Sequence, residues 1–284
     1  MTLESGTCCV LLGPNGAGKS SLLRIASGYE KPNQGDVLLD GSPLIDLPMR
    51  QRARQMGVLT QRSILDFPFT AKEVVAMGRT PFGVLGTDKI AETVMALLNV
   101  DGKRIYTHLS GGEKQRVAVA RAFAAKPDII LCDEVTSALD VSVQAAVLNL
   151  LQELKEDFGT TYIFVSHDLA VVRAISDRVA VLYQGRLCEI GPSDSVYKFP
   201  SHPYTEVLLG AVLEPDPDVK PKLVAEDIVE EKPPEKGCSF QGRCPRILGE
   251  ICKTNVPPWQ IDENGNAIRC HIKINDLKKQ QKLN

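Results

Sequence analysis

The chain has 284 residues, of which 43% are hydrophobic and 24% charged, and its formal net charge is −2. This length allows one sizeable α/β core and leaves roughly 80 residues for a smaller appended unit. The near-neutral charge excludes the strongly basic surface of many nucleic-acid-binding proteins. Because no apolar stretch approaches the roughly 18 to 20 residues of a spanning helix, and no secretory signal pattern opens the chain, the sequence predicts a soluble, cytoplasmic protein.

Short apolar runs alternate with longer helical patterns from the start of the chain to about Gly191. The alternation predicts an α/β fold with a parallel sheet flanked by helices. The helical pattern is clearest at 143–158, because apolar residues recur there at helical spacing and Gly159 follows the end of the segment. The predicted strands are 8–12, 56–59, 129–132 and 162–165, and the predicted helices are 21–27, 88–100, 114–125 and 143–158.

A glycine-rich loop follows the first predicted strand and precedes a helix. It fits the pattern G-x-x-x-x-G-K-[ST], in which backbone N–H groups wrap phosphate oxygens and the helix N-terminus adds its positive dipole. We expect the loop and the following Ser21 to bind a nucleotide, with Lys19 on the β and γ phosphates and Ser20 on Mg²⁺. The residues of the loop are Gly13, Pro14, Asn15, Gly16, Ala17, Gly18, Lys19 and Ser20.

Two carboxylates, Asp133 and Glu134, end the predicted strand 129–132. In a nucleotide site, Asp133 is expected to hold the Mg²⁺ shell and Glu134 to polarise the attacking water as general base. About a hundred residues lie between Lys19 and this strand. A compact phosphate-loop core would need fewer, so the sequence predicts an insertion between the two motifs.

The insertion leads to the most specific motif in the sequence, which precedes the predicted helix 114–125. Ser110 and the N–H groups of the two glycines after it are expected to form an anion site at a helix N-terminus. With this motif the chain resembles the ABC ATPase family, because it matches the family signature and lies in the expected order between the two nucleotide motifs. The resemblance implies a P-loop ATPase core with a helical subdomain at about 62–125. The signature residues are Leu109, Ser110, Gly111, Gly112 and Glu113.

Three further segments are similar to family elements. Gln61 follows a predicted strand, and the resemblance implies that it senses Mg²⁺ and water and couples them to a transmembrane partner. His167 follows another strand and is similar to the switch histidine that contacts the γ-phosphate and orients the water. The third segment is similar to the D-loop of the family and consists of Ser137, Ala138, Leu139 and Asp140.

The resemblance also implies the partners of the protein. In the family, the signature motif meets the ATP held by the opposite subunit, so we expect a head-to-tail dimer with an identical or a different ATPase subunit. Integral membrane permease subunits and, indirectly, a substrate-binding protein are the other expected partners. These would place the chain peripherally at the cytoplasmic face of the cell membrane. No nucleic-acid partner is expected.

The two halves of the chain resemble different importers. Residues 69–81 are similar to ATPases of iron-chelate, haem and cobalamin importers, whereas segments 142–145 and 202–205 are similar to ATPases of oligopeptide, dipeptide and nickel importers. We predict an importer ATPase of the peptide or nickel type. The alternatives are the iron-chelate type, a soluble ABC ATPase and a non-hydrolysing scaffold, and recombination of two lineages stays open.

The C-terminal part is predicted to be a separate unit. An acidic, proline-rich segment at 213–237 indicates a linker between an ATPase domain at 1–212 and a unit at 238–284, whose lysine-rich end from Lys273 is predicted to be a solvated tail. Four cysteines in this unit suit a [4Fe–4S] cluster. Zinc and unligated thiols remain alternatives, although the gaps of five, seven and seventeen residues lack the short pairs of most zinc sites. The cysteines are Cys238, Cys244, Cys252 and Cys270.

One expected element of the nucleotide site is missing. In the family, an aromatic residue on a strand upstream of the phosphate loop stacks on adenine, whereas the first aromatic residue here is Tyr29. By the same resemblance, we expect the strands upstream of the loop to be truncated. Base stacking is worth roughly 1 to 3 kcal/mol. We therefore expect weak ATP binding with little preference over GTP, unless Tyr29 or the partner subunit supplies a ring.

Overall fold

The computed structural model describes residues 1–60, 67–84, 86–135, 141–166, 168–210 and 234–281. The chain divides into two compact units: a first unit of Met1–Cys8 and Ser20–Ser166, and a second unit of Cys9–Lys19 and His167–Asn284. In the described ranges, no helix has the length and apolar character needed to cross a membrane.

Strands and helices alternate along most of the chain. Within the described residues, the strands are β1 (Cys8–Leu12), β2 (Leu38–Leu39), β3 (Ser42–Pro43), β4 (Met56–Leu59), β5 (Ile129–Asp133), β6 (Thr161–Val165), β7 (Arg178–Tyr183), β8 (Arg186–Pro192), β9 (Trp259–Ile261) and β10 (Ala267–Arg269). The helices are α1 (Lys19–Ala26), α2 (Met49–Gln55), α3 (Ala71–Ala76), α4 (Lys89–Leu97), α5 (Gly111–Ala124), α6 (Val141–Phe158), α7 (Leu169–Ile175), α8 (Ser193–Lys198), α9 (Pro203–Gly210), α10 (Glu250–Thr254) and α11 (Ile274–Gln281).

The first unit contains the parallel strands β4, β5 and β6. In register, Val58 lies opposite Leu131, and Leu131 lies opposite Ile163. Strand β5 is a continuous apolar run because a parallel sheet is covered on both faces, and Leu131 is fully buried. Helix α6 is amphipathic, and its buried face consists of Val147, Leu148, Leu151 and Leu154. The strand and helix predictions for this region are confirmed.

Helices α3, α4 and α5 form a closely packed group in the first unit. A Cβ on Gly78 would lie 2.0 Å from the carbonyl oxygen of Arg121, so the backbones approach as closely as glycine allows. The buried Arg79 guanidinium donates to Asp88 Oδ2 at 2.8 Å and to the Ala124 carbonyl at 2.9 Å. These bonds join the segment after α3 to the start of α4 and the end of α5.

The second unit has a mixed sheet. Strand β1 pairs in parallel with β7, whereas β8, β10 and β9 follow in antiparallel pairings. The prediction of a parallel sheet is therefore correct for the pair β1 and β7, and it does not hold for β8, β10 and β9. A two-residue turn at Gln184 and Gly185 explains the change, because both residues have positive φ, 46° and 74°, as a tight hairpin requires.

The end of the chain differs from the prediction of a solvated tail. Residues from Ile274 form helix α11, and both Ile274 and Leu277 are buried in a small core with Ile268 and Cys270. Apolar residues three positions apart suffice to bury one face of this short helix. In addition, Lys278 donates to the nearly buried Asp262 at 2.6 Å.

Candidate functional site

The phosphate loop lies between β1 and α1, and its glycines adopt positive φ angles that other residues rarely adopt. Gly13, Gly16 and Gly18 have φ values of 152°, 76° and 93°. A Cβ on Gly13 would lie 2.3 Å from the carbonyl oxygen of Leu182. The buried Lys19 ammonium donates to the Gly13 carbonyl at 2.8 Å and the Pro14 carbonyl at 2.9 Å, which holds its charge at the loop.

The turn between β7 and β8 supports this loop. The N–H of Gly185 donates to the Ala17 carbonyl at 3.0 Å. The next residue, Arg186, donates through Nη1 to the carbonyl of Gly237 at 3.0 Å, directly before Cys238. The turn therefore contacts the phosphate loop, and the first residue of β8 contacts the start of the cysteine-bearing segment.

A hydroxyl and a carboxylate meet at the carboxyl end of β5. The Ser20 hydroxyl donates to Asp133 Oδ1 at 3.2 Å, although the two residues are 113 positions apart in the sequence. The next residue, Glu134, has a φ of 48°, and its N–H donates to the Val165 carbonyl at 3.2 Å. A left-handed non-glycine residue costs on the order of 1 kcal/mol or more, and such backbones are concentrated at functional sites.

The signature motif forms the start of α5. Ser110 is the N-cap, and both its N–H and its hydroxyl donate to Glu113 Oε2 at 2.8 Å. In return, the N–H of Glu113 donates to the Ser110 hydroxyl at 3.4 Å, which completes a capping box. Arg104 donates to the other carboxylate oxygen of Glu113. Hydrogen bonds from the Ser110 backbone and side chain, together with Arg104, hold the pKa of Glu113 below its ordinary value.

Gly112 lets the start of α5 approach α6. A Cβ at this position would lie 2.8 Å from Val143 Cγ1, so a side chain would press on α6. The motif therefore needs a small residue here for packing, independently of any ligand.

The four late cysteines line one pocket in the second unit, together with His202 and His271. All four are free thiols, and the N–H of Cys238 donates to the Cys252 carbonyl at 2.8 Å. Burial raises the pKa of the Cys244 thiol to about 11 and also raises those of Cys238 and Cys270. Among the described residues, no three or more His, Cys, Asp or Glu side chains have an arrangement that could hold a metal ion.

A buried carboxylate in β8 was not predicted from the sequence. Glu189 accepts the N–H groups of Ser201 and His202 at 2.8 and 2.9 Å, before the start of α9. Burial raises the pKa of Glu189 to about 7 and lowers that of His202 to about 4. The signal in the sequence is a single acid between Cys188 and Ile190 in an apolar strand.

Some predicted site residues lie outside the described residues. These are Gln61, His167 and the segment Ser137 to Asp140. Tyr29 is described; the residue is 76% exposed, and its ring centroid lies 5.1 Å from Arg24 Cζ. The adenine contact stays a prediction.

Two family models match separate parts of the chain. Residues 1–137 match the model described as "ABC transporter", and residues 188–252 match "Oligopeptide/dipeptide transporter, C-terminal region".

Relatives and a solved structure align with most of the chain. A Sinorhizobium fredii protein named "Probable peptide ABC transporter ATP-binding protein y4tS" is 37% identical and aligns with 96% of this chain and 80% of its own. The "Di/tripeptide transport ATP-binding protein DppF" of Pseudomonas aeruginosa is 36% identical over 95% of this chain and 87% of its own. A solved dimeric ATP-binding cassette in a post-hydrolysis state, bound to ADP and Pi, is 30% identical with a TM-score of 0.59, covering 68% of this chain and 88% of its own.

Proposed function

The chain belongs to the ATP-binding proteins of ABC transporters, and from this premise we propose that it is the ATP-hydrolysing subunit of a peptide importer. The observation that carries the proposal is a complete phosphate loop and signature cap in the same chain as a C-terminal region of the oligopeptide type. The peptide relatives align along nearly the whole chain, which favours peptides over the iron-chelate alternative. Nickel stays open as a cargo.

The phosphate loop is proposed to hold the triphosphate. Its N–H groups would surround the phosphate oxygens, and Lys19 would exchange its two carbonyl partners for the β and γ phosphates. Ser20 and Asp133 are the oxygen ligands that suit Mg²⁺. When bound, that ion would neutralise charge on the phosphates.

Hydrolysis is proposed to depend on Glu134. As general base it would accept a proton from the water that attacks the γ-phosphorus, while the bond to the bridging oxygen of ADP breaks. We assign Gln61 to sensing of Mg²⁺ and water, and His167 to orientation of the water near the γ-phosphate.

The signature motif is proposed to act on ATP held by a second ATPase subunit. Ser110, Gly111 and Gly112 would supply an anion site at the start of α5. One phosphate loop and one signature motif would then form each composite site. This arrangement requires a dimer docked on permease subunits, at the cytoplasmic face of the membrane, with a substrate-binding protein delivering the peptide.

The Glu134→Gln variant tests both the proposed role of Glu134 in ATP hydrolysis and the proposed binding to a membrane permease. The substituted chain is expected to bind ATP and to lose about 10²- to 10⁴-fold in hydrolysis rate. Pull-down of this chain from membranes with ATP, followed by identification of the bound proteins, should recover an integral membrane permease. Near-normal turnover would contradict the role of Glu134, and absence of a permease would contradict the transporter assignment.

For the cysteine unit, we propose a [4Fe–4S] cluster held by Cys238, Cys244, Cys252 and Cys270. The number and type of donors support it, since four thiols line one pocket. Their side chains would have to turn to meet one ion or cluster. Anaerobic purification, visible absorption and analysis for iron and zinc separate the alternatives. A colourless protein with zinc would favour the zinc site, and a metal-free protein would leave unligated thiols.

A further inference from the structure

The carboxylate of Glu113 accepts the Ser110 hydroxyl, one of the groups from which the anion site at the start of α5 is expected to be built. Its Oε2 accepts both polar hydrogens that Ser110 offers, the N–H and the hydroxyl, at 2.8 Å each. A phosphate at the start of α5 would need that same hydroxyl and would approach a negatively charged side chain. In the capping box, the Glu113 carboxylate therefore competes with a phosphate for the hydroxyl of Ser110.

Arg104 is placed to relieve this conflict. Its Nη1 contacts Glu113 Oε1, the oxygen that does not hold Ser110, and its Nη2 donates to the His108 carbonyl at 3.4 Å. The guanidinium is thus tied to the loop that leads into the signature motif and to the carboxylate that caps it. When Ser110 turns to a phosphate, Glu113 keeps a cationic partner.

A second capping box in the same unit lacks this arrangement. At the start of α3, Thr70 donates through its N–H and its hydroxyl to Glu73 Oε2 at 2.7 and 2.8 Å, which closely matches the geometry at Ser110. No ion pair to Glu73 is recorded within the described residues, whereas Glu113 has one. A capped helix start therefore does not need an arginine for its own stability.

We propose that Arg104 is a positioning residue for the composite ATP site: it neutralises Glu113 and lets Ser110 bind the γ-phosphate of ATP held by the second subunit. This inference rests on the proposed function of the signature motif. A purely structural role is a weak alternative, because the pair is on the surface, with side chains 43% and 32% exposed, where ion pairs contribute little stability.

The experiment measures ATP-dependent dimerisation of the full chain in a Glu134→Gln background, by sedimentation at several protein concentrations. Arg104→Gln is expected to weaken the dimer about tenfold at low salt, because an uncompensated carboxylate faces the phosphate a few ångströms away. Arg104→Lys is expected to restore most of the loss. Binding of fluorescent ATP to the monomer should be unchanged, since the phosphate loop is separate from α5 in the sequence.

The decisive comparison repeats Arg104→Gln in a Glu113→Gln background. Glutamine retains the capping box but has no charge, so the arginine substitution should then have no further effect. Lys72→Gln, which removes a similar surface ion pair with Glu92, is the matched control and should leave dimerisation unchanged.

Three results would overturn the inference. The first is an unchanged dimer in Arg104→Gln. The second is an equal loss in the Glu113→Gln background, which would assign Arg104 a role other than charge neutralisation. The third is absence of an ATP-dependent dimer in the Glu134→Gln reference itself, which would overturn the proposed function of the motif as well.

Discussion

At the scale of single residues, Gly13 is the loop position with the least room for a side chain. We predict that Gly13→Ala abolishes the remaining nucleotide binding and destabilises the protein by about 1 to 3 kcal/mol, because its Cβ would lie 2.3 Å from the Leu182 carbonyl oxygen. Fluorescent ATP titration and thermal melting measure both effects. Gly210→Ala is the control, since nothing lies within 4 Å of its Cβ, and it should change neither.

Glu189 and His202 change the stability of the protein in opposite directions as pH changes. The pKa of Glu189 is raised from 4.5 to about 7, so in that range the folded protein holds a proton that the unfolded chain has released, and stability falls as pH rises. The pKa of His202 is lowered from 6.5 to about 4, so stability falls as pH decreases through that range. Each contribution is on the order of 3 kcal/mol.

We predict that single substitutions reveal the two opposing slopes. Glu189→Gln should leave the His202 contribution, so that stability decreases from pH 6.5 to 4.5. His202→Asn should leave the Glu189 contribution, so that stability increases over the same interval. Urea unfolding at pH 4.5, 5.5 and 6.5 measures both slopes. The same slope in both variants would contradict these opposed titrations.

At the scale of elements, the packing of α3 and its following turn on α5 depends on Gly78. We predict that Gly78→Ala destabilises the first unit by about 1 to 3 kcal/mol, since the new Cβ would lie 2.0 Å from the Arg121 carbonyl and backbone must move. Denaturant unfolding measures the change. Gly57→Ala in β4 is a suitable control, because its nearest neighbours would be at 3.4 Å, an ordinary contact. A loss no larger than that control would contradict the prediction.

The sequence indicated the elements whose signal is local. Strands β5 and β6 are largely buried and β4 is half-buried, and all three read as apolar runs, while the phosphate loop and signature carry fixed spacings. Helices α3 and α11 were missed because each has at most eight residues, and tertiary contacts determine whether a segment of that length folds.

Long-range contacts were beyond the sequence. Ser20 and Asp133 could be assigned to one ion from their motifs, whereas the contacts of Arg104 and Glu189 depend on where other segments fold. The pairing of β10 with β8 was missed for the same reason, because these two strands lie far apart in the chain.

At the scale of the whole molecule, the proposed composite site requires parts from two chains. We predict that mixing two inactive variants, Lys19→Met and Ser110→Asp, restores part of the ATPase activity. A mixed dimer has one site with an intact loop from one chain and an intact signature from the other. Aspartate retains the helix cap but repels phosphate. Phosphate release measures recovery, and no activity in any mixture would contradict a head-to-tail dimer of this chain.

Strand β10 also has a consequence for the solubility of the second unit. Ala267 and Ile268 pair with Ile190 and Glu189, so a strand from the C-terminal segment covers one side of β8. A chain that ends at residue 210 would present the open hydrogen-bonding edge of β8 to other molecules, and such edges template aggregation. Light scattering should therefore show the shortened chain forming aggregates at concentrations at which the full chain stays clear.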